Sequence, residues 1–320
     1  PSLEPRPADQ QHLCAIHSHG PRLRSRGRDH GQSQQILTPI TPSANGVDVT
    51  SDDAVFNTLP PLLRDEQTLE HASDDWGHRV ALRPYGVLRP TTIDQVQTAA
   101  REFSFVARGQ GHSHNGEAQS DGDVVLETSG LNTIHEISHD HIVVDAGSRW
   151  SDVLAASLPH GLTPPVLTDY LELSVGGTLS VGGIGGASGH HGLQTDNVVE
   201  LEVITPGGAH VACSPQTNTE LFDAVRAGNG DHGVIARATL KLIPAHPRAR
   251  RLRLHYRDLL TALADQRTLL ADGRFDYLEG QAQLDQTGEW DYVIEAVSFY
   301  TAHPVTPPKE LHYHLEESDD

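Results

Sequence analysis

Apolar residues fall into short regular runs from about residue 76 onward, and into none before residue 60. Ile93, Val96, Ala99 and Ala100 have the spacing of one helix face, and Thr92 with Gln95 forms a capping box ahead of them, so the pattern predicts a helix over 93–102. Alternation or short apolar runs mark strands at SFVAR (104–108), DVVLET (123–128) and HIVVDAG (141–147). VALRPYGVLRP (80–90) reads as short strands broken by a turn, and a helix over about 150–158 closes on Gly161. NVVELEVITPGGAHVACS (197–214) reads as a hairpin around Pro-Gly-Gly. Thr217 and Glu220 are spaced to cap LFDAVRA (221–227), and GVIARATLKLIP (233–244) alternates as another strand. Beyond Pro247 come a strand (252–256), a helix (259–271) and two strands, FDYLEGQAQ (275–283) and DYVIEAVSFY (291–300). Hairpins mixed with single helices predict an α+β fold, not a doubly wound parallel sheet.

Composition changes the picture at the N-terminus. Residues 1–60 are rich in His, Gln, Arg, Ser and Pro without a period, which predicts a low-complexity, disordered segment. His12, Cys14, His17 and His19 are metal-ligand types, but in a chain with 21 histidines and no partner ligand nearby they carry little weight. A formal charge of −20 excludes nucleic acid and anionic membrane as main partners. No apolar run approaches the ~18–20 residues of a membrane span, and the N-terminus has no signal-type apolar stretch. Cys14 and Cys213 make no disulfide framework. The absence of methionine, position 1 included, leads us to expect a chain that begins downstream of an initiator.

Candidate chemistry lies in the glycine-rich segments. RGQGHSHNGEAQ (108–119) places His112 and His114 two apart in a glycine-flanked loop. On extended backbone they share a face without a third ligand, which favours a cradle over a metal: glycine amides close on phosphates beside a reactive side chain. LSVGGTLSVGGIGGASGHHG (173–192) carries Val175, Leu179, Val181 and Ile184 at intervals, unlike a linker, and suits backbone lying against a flat ring and a pyrophosphate. GNGDHG (228–233) spells GxGxxG, but it follows a helix pattern and precedes a strand, the reverse of the dinucleotide fingerprint. A helix C-cap glycine and a tight turn explain it. Asp169 sits among Leu167, Tyr170 and Leu171. Most lone aspartates are caps or surface charges; a place just before a glycine loop makes a partly buried base the alternative. Glu279 in YLEG alternates with apolar neighbours on a strand, where a solvent-facing position is the plain reading.

In order and spacing, RGQGHSHNGEAQ, WSDVLAASLPHGLTP, TDYLELSVGGTLS, HHGLQTDNVVELEVITPGG, LFDAVRAGNGDHGVI and FDYLEG resemble the covalent-FAD oxidoreductases with a vanillyl-alcohol-oxidase-type (PCMH-type) flavin domain. Within that group they look most like cytokinin dehydrogenases, over residues 74–280. The resemblance implies an FAD-binding domain of two α+β subdomains over 61–247, then the start of an α+β substrate-cap domain over 248–320. It implies FAD bonded to the His112 imidazole, with Gly109, Gln110, Gly111 and Ser113 lining the pyrophosphate. Glu117, Asp169, Ser174, Ser180 and Ile184 stand at other cofactor-contacting positions, and Ile235 at the adenine side. His114 lies outside that motif, as a surface residue.

By the same resemblance, Asp169 is the base for an N6 side-chain amine of an adenine-type cytokinin, and Glu279 anchors the purine. Hydride passes to FAD, and the imine hydrolyses to adenine and an aldehyde. The electron acceptor, quinone or O2, stays open. Two departures stand out: Gln110 where the family has arginine and Glu117 where it has glutamine, both of which disfavour a pyrophosphate electrostatically. Family members run longer, so a C-terminally truncated chain is expected. The same flavin domain serves carbohydrate, alditol and lactone oxidases, which need no TDYL/YLEG carboxylate pair. A non-catalytic flavin-binding fragment is the third reading.

Overall fold

In a computed structural model of the chain, residues 59–306, 311 and 314–319 are described, all within the compact unit Ala54–Asp320. The reading of residues 1–60, His12, Cys14, His17 and His19 included, lies outside them apart from Leu59 and Pro60. Helix α1 (Glu66–Ala72) and strand β1 (Gly86–Leu88) come first, then α2 (Ile93–Glu102), β2 (Phe105–Arg108) and β3 (Val124–Glu127). The three strands form a parallel sheet in the order β1-β3-β2. The capped helix is α2: the Thr92 hydroxyl accepts the Gln95 N–H at 3.3 Å, and Val96, Ala99 and Ala100 are buried. Helix α1 carries only Leu69 and Ala72 inward, too few to show a period, and Asp65 starts it by accepting the Thr68 N–H at 3.0 Å. In VALRPYGVLRP only Gly86–Leu88 pairs as strand. Upstream, the Gln119 amide takes the place of a neighbouring strand, accepting from Leu82 N–H at 2.9 Å and donating to the Val80 carbonyl at 3.2 Å.

The next elements are β4 (Ile134–Ile137), β5 (His141–Asp145), α3 (Trp150–Ser157), β6 (Leu162–Thr163), α4 (Val175–Leu179) and α5 (Ser188–His191). After them come β7 (Val198–Ile204), β8 (His210–Cys213), α6 (Thr219–Val225), β9 (Val234–Lys241) and β10 (Ile243–Pro244). An antiparallel sheet runs β4-β5-β9-β7-β8, with the predicted hairpin as β7-β8. One face packs α3, α4 and α6 through Trp150, Leu179 and Phe222; the other meets α2 through Ile204, Val234 and Ala236. Trp150 is the heaviest anchor, buried with its indole N–H on the Thr178 hydroxyl at 2.8 Å, and truncating such a ring costs about 3–5 kcal/mol. Thr217 does not cap α6. It pairs with Ser214 in a turn, and Asn218, at φ 49°, is the residue ahead of the helix.

A second antiparallel sheet contains β11 (Arg248–Tyr256), β12 (Tyr277–Leu284), β13 (Trp290–Tyr300) and β14 (His314–Asp319), in the order β12-β13-β11-β14. Helix α7 (Leu259–Asp272) covers one face through Ala262 and Leu269, against Leu252, Leu254, Leu278, Ile294 and Ala296. Period-2 alternation puts Tyr277, Glu279 and Gln281 on the opposite face, with Glu295 and Arg253 in register across it. The architecture is α+β. No helix among the described residues is long and apolar enough to cross a membrane.

Candidate functional site

Strand β2 delivers Arg108 into the core and turns into the loop beyond it. The Arg108 guanidinium is buried and donates to the backbone carbonyls of Asp74 (2.8 Å) and His71 (3.2 Å). Gly111 lies over it at φ +70°, where a Cβ would collide with that guanidinium. Asp75 organises the rest of the loop: its carboxylate accepts from the Ser113 hydroxyl (2.8 Å), the Gly116 N–H (2.7 Å) and the Gly77 N–H (3.1 Å). Backbone bonds from Trp76 to Gly111 and from Gly77 to Ser113 complete the clasp. Glu117 turns back on the same loop. It accepts from His114 N–H, Asn115 N–H and the Asn115 side chain, and those bonds hold its pKa down at about 2.

The imidazole of His112 is half-buried between two rings. Trp76 stacks on one side at 4.7 Å between centroids and Tyr170 on the other at 4.8 Å, although each of these rings is itself about half exposed. Burial, with help from His114, holds the His112 pKa below its ordinary value, which favours the neutral, nucleophilic imidazole. His114 itself is exposed.

The facing wall comes from α4 and from the turn between α6 and β9. A Cβ on Gly109 would strike the Ser174 hydroxyl, so loop and wall touch at bare backbone. Between them lies a cavity of about 200 Å3. Gly109, Gln110, Gly111, His112, Ser113, Glu117, Ser174, Ser180 and Ile235 all line it; Asp169 and Ile184 do not, and Ile184 is 71% exposed. GNGDHG is not a Rossmann turn, yet its Asn229, Gly230 and Gly233 line the same cavity. Nor is its first glycine a helix cap. Helix α6 ends at Val225 with Arg226 as its cap, the positive-φ residues that follow are Ala227, Asn229, Gly230 and Gly233 but not Gly228, and the turn docks its N–H groups on Leu179 and Ser180 carbonyls.

The second half of the 173–192 segment packs against protein. A Cβ on Gly185 would meet the Leu167 carbonyl, and one on Gly186 would meet the Tyr277 ring. Strand β12 is held there by Leu278 N–H on the Gly186 carbonyl (2.9 Å) and by His190 on the Phe275 carbonyl (2.6 Å). This brings the Tyr277 hydroxyl within 2.9 Å of Asp169 Oδ1 and 2.6 Å of Glu279 Oε2. Asp169 is an exposed residue, yet its carboxyl is crowded by Tyr277 and Glu279. Burial and then the Glu279 charge push its pKa up, and burial with the two carboxylates pushes the Tyr277 phenol up.

Residues 84–214 match the FAD binding domain family. The chain carries a PCMH-type FAD-binding domain. It is 45% identical over 242 residues to an uncharacterized oxidoreductase in the fasciation locus of Rhodococcoides fascians, covering 74% of this chain and 55% of that protein. It is 41% identical over 266 residues to cytokinin dehydrogenase 10 of Oryza sativa subsp. japonica, covering 77% of this chain and 48% of that one. With cytokinin dehydrogenase 2 of Arabidopsis thaliana the identity is 39% over 254 residues, 76% of this chain and 50% of the other. The chain spans about half the length of the curated relatives it matches.

FAD is the cofactor of this domain, and the cavity fits its pyrophosphate: it is lined by glycines and hydroxyl residues, and crowding at Gly109 and Gly111 leaves no room for side chains there. Gln110 brings no charge, and the Arg108 guanidinium packs behind the loop at Gly111. Among the described residues no His, Cys, Asp or Glu group is arranged for a metal ion. Asp75 and Trp76 stand outside the quoted motifs; Tyr277 lies in YLEG, and its signal is the i, i+2 spacing from Glu279 on one strand face.

Proposed function

We propose that this protein is an FAD-linked amine dehydrogenase acting on adenine-type N6-alkyl amines, with its flavin bonded to His112. The reading is supported by the relatives named cytokinin dehydrogenase and, above all, by one observation. Asp169 and Glu279, far apart in sequence, both reach the Tyr277 hydroxyl, and Asp169 directly precedes Tyr170, whose ring stacks on His112. A carbohydrate or alditol oxidase has no need of that pair.

In this reading Gly109, Gln110, Gly111, Ser113, Ser174, Ser180 and Ile235 hold the dinucleotide through backbone and hydroxyl groups. FAD held there would supply a two-electron oxidant for the carbon next to the amine. Asp169 accepts the proton of that amine at a carboxylate oxygen. Its crowding makes it a stronger base than an exposed aspartate. Glu279 hydrogen-bonds the purine through an N–H and orients the side chain toward Asp169. Trp76 and Tyr170 keep the His112 ring in place and shield it from water. Water then hydrolyses the imine product to adenine and an aldehyde.

The test is anaerobic flavin bleaching with isopentenyl-adenine beside xylitol and a sugar lactone. Bleaching by the purine alone is expected. Bleaching by the polyol or lactone alone moves the protein to the carbohydrate oxidases, and bleaching by none removes the catalytic reading for this chain.

A further inference from the structure

The Tyr277 hydroxyl carries one hydrogen and stands between two carboxyl groups, at 2.9 Å from Asp169 Oδ1 and 2.6 Å from Glu279 Oε2. A phenol gives that hydrogen to one acceptor at a time. With both carboxyls ionised, one of these contacts would set lone pair against lone pair. A single added proton removes the conflict: a neutral carboxyl donates to the phenol oxygen, and the phenol donates to the remaining carboxylate. The lengths assign the ends. Hydroxyl-to-carboxylate bonds run about 2.5–2.7 Å, and neutral ones extend to about 3.0 Å. Tyr277 therefore donates to Glu279, and Asp169 is the neutral end.

We propose that Asp169, Tyr277 and Glu279 share one proton along this chain, making Tyr277 the positioning residue through which Glu279 governs whether Asp169 is free to act as a base. The inference rests on Asp169 being that base. The transfer balances: Asp169 gives its proton to the phenol oxygen while the phenol's own hydrogen passes to Glu279. Asp169 is left ionised, Glu279 neutral and Tyr277 unchanged.

The surroundings hold the chain in place. Gln281 of β12 donates to the other Glu279 oxygen at 3.0 Å. Glu295 of β13 lies opposite Glu279 in register and adds negative charge, while Arg253 of β11 pairs with Glu295 at 3.3 Å. On the flavin-domain side, His190 is bonded to the Phe275 carbonyl, and His112 stacks on Tyr170, next to Asp169. Burial, and then the like charge of Glu279 and to a lesser degree Glu295, favours retention of a proton on Asp169. The Tyr277 ring rests over Gly186, so Tyr277→Phe keeps the packing and deletes only the hydroxyl.

Infrared titration of the carboxyl stretch of the 320-residue chain tests the shared proton without substrate. One carboxyl should ionise above the ordinary carboxylate range; Asp169→Asn removes that step and Glu279→Gln moves it down. In a Tyr277→Phe background the Glu279→Gln displacement should shrink by more than half. If Tyr277→Phe does not fold, 3-fluorotyrosine at position 277, a weaker acceptor of the same shape, should move the step down. Carboxyls that all ionise in the ordinary range overturn the proposal. So does a Glu279→Gln displacement of equal size with and without the hydroxyl, or a step that fluorination leaves in place. A purine-bleaching pH profile adds a second arm, its acidic limb following the infrared step in Glu279→Gln and Tyr277→Phe. The expected infrared pattern without bleaching by the purine removes the substrate reading and keeps the shared proton; bleaching whose acidic limb ignores Tyr277→Phe does the reverse.

Discussion

The Asp75 carboxylate accepts the Ser113 hydroxyl at 2.8 Å across 38 residues of chain, and the same oxygen takes the Gly116 N–H at 2.7 Å. One buried acceptor thus shapes the loop that carries His112. Every partner is a donor, so an amide in its place turns an NH2 toward N–H or O–H groups. Asp75→Asn is expected to cost about 1–3 kcal/mol in urea unfolding. It should also lower the fraction of purified protein that holds flavin. An unchanged melting midpoint with full flavin content would show that the clasp does not need the carboxylate.

His112→Ala should leave reversible flavin binding through the glycine backbone and abolish the covalent link. The measurement is flavin fluorescence in the denatured protein band after acid precipitation. Parent protein that releases all its flavin on acid treatment rules out the attachment at His112. Trp76→Ala leaves the imidazole and removes one of its two stacking partners, so covalent loading should slow rather than vanish, followed as a time course with added FAD.

How much of this was legible depended on whether a contact had a local sequence signal. The helix Ile93–Glu102 announced itself because its inward face and its Thr92 cap are written in consecutive residues. The hairpin of β7 and β8 did so because alternation flanks a glycine turn. The short helix Glu66–Ala72 has just two buried positions, and its period is lost in noise. In sequence, the glycines of 173–192 suggest one surface against a flat ring and a pyrophosphate. The fold divides them: Gly176 and Gly177 line the cavity, while Gly186 meets the ring of Tyr277. Asp75 and Tyr277 act through residues distant in sequence, and no periodicity carries that.

Glu117 gives a pH-dependent signature. Its folded pKa, about 2, lies below the ordinary 4.5, so its stabilisation is fully present above pH 4.5 and disappears as pH falls through about 2. Glu117→Gln retains one acceptor oxygen in place of two. Amide hydrogen exchange in 113–117 should be faster in the variant at pH 7, with the difference shrinking as the pH approaches 2. An equal difference across that range would place the effect somewhere other than the carboxylate charge.

Asp169→Asn keeps the shape and loses the proton acceptor, so the substrate-dependent step should slow by about 10²–10⁴-fold with flavin content unchanged. Glu279→Gln should raise KM, as an anchor that binds ground state and transition state alike, and move the acidic limb of the pH profile together with the Asp169 step. Because the Asp169 pKa is raised, the base loses its proton, and activity appears, only as pH rises above the ordinary aspartate range. The same shift makes the ionised Asp169 mildly destabilising at neutral pH, so Asp169→Asn should melt no lower than the parent there. Purine turnover that survives Asp169→Asn unchanged keeps the substrate and removes the mechanism.

Two glycine-to-alanine changes should separate the two jobs of the glycine-rich walls. A methyl on Gly109 would meet the Ser174 hydroxyl inside the cavity, where loop and wall close on each other. Gly109→Ala should therefore reduce flavin content, and adding free FAD should restore part of it. A methyl on Gly186 would meet the Tyr277 ring, and Gly186 is not part of the cavity lining. Gly186→Ala should leave flavin content near the parent level while pushing β12 away from Asp169, at about 1–3 kcal/mol for the overpacking. Its signature is a fully yellow protein with raised KM and lowered kcat, since Glu279 and Tyr277 move together. Loss of flavin in Gly186→Ala, or full flavin and activity in Gly109→Ala, would exchange the roles assigned to the two positions.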